Sequence, residues 1–90
     1  HKYQKKVDGW EIVKNQKNIF FLVKNFKFKY FVDSQSFLNQ VGQISEEEGH
    51  HPDIKFGWGY ATISITTHAI EGLSENDFIL AAKIDKKTNV

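Results

Sequence analysis

Three imidazoles stand where proton-transfer chemistry is usually built. His50 and His51 follow a run of helical periodicity, and His68 closes a strand-like run. Imidazole acts as acid or base near neutral pH without special tuning, and functional groups gather at the ends of elements. The plain structural alternative is that His50 and His51 only complement the negative end of the preceding helix. Separately, Glu46, Glu47 and Glu48 crowd that same end, where the dipole and their mutual repulsion both oppose three carboxylates. A costly arrangement of this kind points to function. Three histidines also suit a catalytic zinc ion, but adjacent side chains diverge, and the strong metal pattern spaces two histidines one helical turn apart. Other chemistries are poorly supplied. There is no cysteine. Ser34, Ser36, Ser45, Ser64 and Ser74 lack a nucleophile-elbow glycine pattern, and Gly57 and Gly59 precede no helix that would cradle a phosphate. Glu46–Glu48 as a glycosidase-type carboxylate pair reads more simply as a solvated helix edge.

The elements that position these residues follow from periodicity. After the Asp8-Gly9 turn signal, Trp10 to Lys14 reads as a short strand, and Asn15-Gln16-Lys17-Asn18 as a hairpin loop. Ile19 to Lys29 is strongly β-prone, with strict alternation in Phe26-Lys27-Phe28-Lys29. Its apolar start, Phe20-Phe21-Leu22-Val23, predicts cover on both faces. Over residues 31–48 the period becomes helical, placing Phe37, Leu38, Val41, Ile44 and Ser45 on one face. Asp33 is a candidate cap, with a start two or three residues earlier as the alternative. Gly49 suits a left-handed helix end, and Pro52 blocks resumption. Residues 53–67 predict a second hairpin turning near Gly59. Ser74-Glu75-Asn76-Asp77 is a capping-box variant, and Phe78, Ala81, Ala82 and Ile84 mark the apolar face of a last helix ending near Asp85-Lys86-Lys87. Hairpin, helix, hairpin, helix predicts an α+β two-layer sandwich, a four-stranded antiparallel sheet with helices on one face.

A chain of 90 residues predicts one domain over residues 1–90, because a second core needs a longer chain. So small a domain buries only about 60–65% of its unfolded surface. The 14% aromatic content, with eight Phe, offsets this by giving each core position a large area. The net charge of +1 conceals an asymmetry: residues 1–30 carry eight lysines against Asp8 and Glu11, a net of +6, while residues 31–90 net −5. Every basic residue is lysine. Without arginine, the usual bidentate reader of guanine and phosphate, direct nucleic-acid recognition is not expected, and a solvated lysine-rich hairpin is the simpler reading. No apolar run approaches the ~20 residues that cross a bilayer and no signal pattern appears, so no membrane contact and a cytoplasmic setting are expected. The sequence starts at His1, which leaves anything upstream outside this reading.

Glu46, three residues, His50-His51-Pro52, five residues, Trp58, nine residues, His68, eight residues and Asp77 together resemble the signature of the pterin-4a-carbinolamine dehydratases. Thr66-Thr67-His68, Gly72 to Phe78 and Ala81 to Asp85 are similar to the same family outside that signature, so the likeness runs from about Gly9 to Asp85. It implies the fold already read, preceded by one more helix of which only residues 1–7 could represent the end. It also implies dehydration of 4a-hydroxytetrahydrobiopterin to quinonoid dihydrobiopterin, in tetrahydrobiopterin recycling. His50, His51 and His68 would be catalytic, with Glu46 orienting an imidazole or meeting the pterin. Pro52, Trp58 and Asp77 complete the implied substrate site. Trp58 reads either as a wall for the flat pterin or as core, and Asp77 either as a ligand contact or as a helix cap. Since only protons move, neither a metal nor an organic cofactor is implied. The implied assembly is a homo-oligomer, a tetramer or a dimer. The competing implication is a non-catalytic binding module, a dimerisation cofactor of a transcription factor. Two positions depart from the family pattern, Ile54 where Trp is frequent and Gly59 where Asn is common.

Overall fold

The computed structural model describes residues 9–88, so the expectation for residues 1–7 lies outside the described residues. Four strands, β1 (Glu11–Lys14), β2 (Phe20–Lys27), β3 (Asp53–Gly57) and β4 (Tyr60–Ile65), form one antiparallel sheet in the order β1-β2-β4-β3. Helices α1 (Phe31–Glu48) and α2 (Glu75–Thr88) complete the α+β fold, with a 3-10 turn at His68–Ile70 between β4 and α2.

Turn chemistry sets both hairpins. At the first, Asn15 Oδ1 accepts from the amides of Lys17 (2.8 Å) and Ile19 (3.0 Å), and Asn18 takes a positive φ of 64°. Asparagine suits both tasks, since its short amide bonds the local backbone and tolerates left-handed geometry. At the second, Gly57 pairs with Tyr60 and leaves Trp58-Gly59 as the loop. Gly59 has φ 82° and its carbonyl accepts the amide of Phe28 at 2.8 Å, so the departure from asparagine here suits the turn.

The strand period places one set of side chains beneath the helices. Leu22 pairs with Ile65, and Ile54 with Ile63, in register on the inner face. Trp10, Leu22, Ala61, Ile63 and Ile65 are buried with Phe37, Val41 and Ile44 of α1 and Phe78, Leu80, Ala81 and Ile84 of α2. Each large side chain fully buried contributes about 1.5–3 kcal/mol. Phe37 packs on Phe26 and Phe28, with ring centroids 4.5 and 5.2 Å apart. A polar clamp ties the sheet to α2: Asp85 accepts from Trp10 Nε1 and from Lys24 Nζ, both at 2.9 Å.

Helix α1 starts after Tyr30 with no side-chain cap, so the earlier start is correct and Asp33 lies in its first turn. Among the described residues the Phe20–Val23 run is covered on one face only. Leu22 is fully buried, but Phe20 is 45% exposed and Phe21 and Val23 are half-buried. Among the described residues both helices lie on one face, and Phe21 and Val23 project to the other beside Val13 and Ser64. The apolar run reflects β2's central place between β1 and β4, not a second covering layer.

Candidate active site

Four chain segments meet at one end of the sheet: the C-terminus of α1, the start of β3, the segment after β4 and the N-terminus of α2. The first is closed by Gly49, whose φ of 64° admits two terminal bonds. The Gly49 amide reaches Glu46 O at 3.3 Å and the His50 amide reaches Ser45 O at 3.1 Å. This pair of bonds is a Schellman motif, and it fixes the backbone of His50 to the helix. Pro52 then disfavours helical backbone at His51, so the chain leaves extended and β3 begins at Asp53. Pro52 is half-buried and acts on the site through the backbone. Because no atom lies within 4 Å of a Cβ built at Gly49, Gly49→Ala is expected to cost about 1 kcal/mol through backbone strain alone. Urea denaturation checks this, and the same variant should slow any activity that depends on His50 and His51.

The exit turns the two adjacent imidazoles to different partners. His51 Nε2 hydrogen-bonds Glu46 Oε2 across the helix end. Both are open, with side-chain exposures of 61% for His51 and 78% for Glu46, so a ligand has access to the pair. His50 is more enclosed, at 19%, and its Nε2 lies 2.7 Å from Asp77 Oδ1. Glu48 instead pairs with Lys83 of α2. The crowded carboxylates are thus divided between an imidazole and an ammonium group, and only Glu47 has no salt-bridge partner among the described residues.

Asp77 is fully buried. Its Oδ2 accepts from the Ser74 amide at 2.7 Å and from Thr67 Oγ1 at 2.8 Å. The capping expectation therefore holds for Asp77, while the Ser74 hydroxyl turns away to Thr67, 2.9 Å off. Asp77 is both cap and histidine partner, and it has no exposed surface of its own. His68 follows Thr67 directly, is exposed, and has no side-chain hydrogen bond among the described residues. The hydroxyl of its neighbour Thr67 belongs to the Asp77–His50 cluster.

Trp58 does not join this group. It occupies the β3–β4 turn, 78% exposed, at the opposite end of β3 from His50 and His51. Five strand residues separate the two ends by about 16 Å. Both earlier readings of Trp58, core and pterin wall, give way within one subunit, because the two-residue turn carries it out of the alternating pattern. Ile54, the other departure, points to the inner face opposite Ile63. Thr67 is the residue that the sequence reading left without a role. Its signal was the hydroxyl immediately before His68. Among the described residues no three His, Asp or Glu side chains are grouped to hold a metal ion.

The chain is thus a one-sided α+β sandwich that carries at one end of its sheet a helix end with two adjacent histidines, one of them facing a buried aspartate. Residues 1–87 match the family described as pterin 4 alpha carbinolamine dehydratase, and the chain belongs to that family. It is 45% identical over 82 residues to a Rubrobacter xylanophilus protein, covering 91% of this chain and 73% of that one. To a Halorhodospira halophila protein it is 51% identical over 79 residues, covering 88% and 70% respectively. Both relatives are provisionally named as pterin-4-alpha-carbinolamine dehydratases. Among solved structures, a Brucella melitensis protein titled transcriptional coactivator/pterin dehydratase superposes with a TM-score of 0.85 at 25% identity, covering 98% of this chain and 90% of that one. A pterin dehydratase-like protein identified as a RuBisCO assembly factor in the alpha-carboxysome gives 0.76 at 26% identity, covering 93% and 94%.

Proposed function

We propose that this chain dehydrates 4a-hydroxytetrahydrobiopterin to quinonoid dihydrobiopterin, as a single domain in a cytoplasmic tetrahydrobiopterin-recycling pathway. The observation that carries the reading is the pairing of each adjacent histidine with its own carboxylate, His51 with Glu46 and His50 with Asp77, at the end of the sheet that also holds His68. Dehydration breaks the C4a–O bond and forms a C=N bond to the neighbouring ring nitrogen. A proton is delivered to the departing hydroxyl, which leaves as water, and one is taken from the ring nitrogen. Two imidazoles in opposite protonation states supply both transfers, and the proton balance closes without a cofactor. Glu46 orients the exposed His51 and lies within reach of the substrate beside it.

The test is the rate at which enzymatically generated carbinolamine dehydrates with and without the chain. A rate above the spontaneous one supports the reading, and an unchanged rate contradicts it. The second reading is a non-catalytic binding module acting as a transcription-factor dimerisation cofactor. The titles of the two solved neighbours favour it, since one names a coactivator and the other an assembly factor.

The same proposal includes a homo-oligomer, a dimer or a tetramer. Among the described residues β1 and β3 leave both sheet edges open, and Phe31, Phe56, Trp58 and Tyr60 are exposed together near the β3–β4 turn. Sedimentation at micromolar concentration should show a species well above 10.4 kDa. A 10.4 kDa monomer alone would contradict assembly.

A further inference from the structure

We propose that Thr67 is a positioning residue: through Asp77 it fixes His50 with its proton on Nε2, leaving Nδ1 as the nitrogen that exchanges protons with a ligand. The argument is an accounting of hydrogens around one buried carboxylate. Oδ2 of Asp77 faces the Ser74 amide at 2.7 Å, and an amide only donates. Thr67 Oγ1 lies 2.8 Å from the same oxygen and has a single hydrogen to give. The Ser74 hydroxyl stands 3.4 Å from Oδ2 but 2.9 Å from Thr67 Oγ1. The set closes when Ser74 donates to Thr67 and Thr67 donates to Asp77. The Ser74 amide and the Thr67 hydroxyl then both give their hydrogens to Oδ2, the Ser74 hydroxyl gives its own to Thr67, and Asp77, as a carboxylate, only accepts. A carboxylate has no hydrogen to give, so at the one remaining contact, His50 Nε2 at 2.7 Å from Oδ1, the ring nitrogen is the N–H donor. A neutral imidazole with its hydrogen on Nε2 keeps its lone pair on Nδ1.

Thr67 is well placed to enforce this. Its backbone is held independently of its hydroxyl by two bonds to Gly72: its amide donates to Gly72 O at 2.9 Å, and its carbonyl accepts the Gly72 amide at 3.3 Å. The hydroxyl is therefore pinned where it meets Asp77. It also lies one residue before His68, so a single short segment presents one histidine and orients another.

The tautomer assignment stands on geometry alone, and only its effect on rate rests on the proposed dehydratase activity. The test is nitrogen NMR of the histidine rings in isotope-labelled protein, together with carbinolamine turnover, for wild type, Thr67→Val and Thr67→Ser. Wild-type His50 should show a protonated Nε2 and a lone-pair Nδ1. Thr67→Val preserves shape and the Gly72 bonds but removes the donor, so the two nitrogens should become more alike and turnover should fall about ten- to a hundredfold. Thr67→Ser restores the hydroxyl and should return both readouts to near wild type. A wild-type His50 protonated on Nδ1 overturns the assignment whether or not any variant folds. A folded Thr67→Val with a wild-type ring spectrum overturns the role of Thr67. A spectral change with unaltered turnover upholds the positioning and counts instead against His50 in catalysis.

Discussion

Replacing His51 with alanine is expected to lower carbinolamine turnover by about 10²–10⁴-fold, the span typical of a single acid–base group, with the fold intact. His51 is paired with an accessible carboxylate and is itself mostly exposed, far more so than His50. His68 ranks next, because its ring is also exposed and has no hydrogen-bond partner among the described residues that would hold it away. His50→Ala should fall in the same range and also free the buried Asp77 oxygen. Double variants should lose less than the product of the single losses, because groups acting as a unit are not additive. Turnover rates measured beside circular dichroism check the series. Strict multiplication would indicate independent roles.

The largest stability effect is expected at Asp77. Asp77→Ala removes an N-terminal cap and leaves the Ser74 amide and the Thr67 hydroxyl without their acceptor inside the protein. The cap is worth about 1 kcal/mol, and an unsatisfied buried donor costs about 1–3 kcal/mol. A loss of about 2–4 kcal/mol is therefore expected from urea unfolding. Asp77→Asn separates packing from pairing. It keeps the volume, but its NH2 must face either the Oδ2 donors or His50, so it should recover little of the loss. A decrease below about 0.5 kcal/mol for the alanine variant would contradict the bonding scheme.

Where local chemistry decides the outcome, the sequence was legible. The end of α1 is marked by Gly49 because few other residues adopt its left-handed backbone, and the start of α2 by Ser74 and Asp77 because amides at a helix start need nearby acceptors. The apolar period over residues 31–48 placed Phe37, Val41, Ile44 and Ser45 correctly, with Leu38 only half-buried at the margin of that face. Three features were not legible. The apolar run Phe20–Val23 shows that a strand is central but not how many layers cover it. Trp58 continues an alternation that the turn interrupts, and nothing local places the break before it rather than after. The partner of Asp77 lies 27 residues earlier, and that of Thr67 lies 10 later, so their meeting depends on the order of the strands in the sheet. The histidines themselves could be picked out, but which carboxylate serves which ring needed the three-dimensional structure.

The most direct test of the account is the dehydration rate of enzymatically generated carbinolamine with wild-type chain, set against a folded variant in which His50, His51 and His68 are all alanine. The account predicts clear acceleration over the spontaneous reaction by the wild type and none above background by the variant. Equal rates from the two folded proteins would contradict the catalytic reading and leave the binding module in its place.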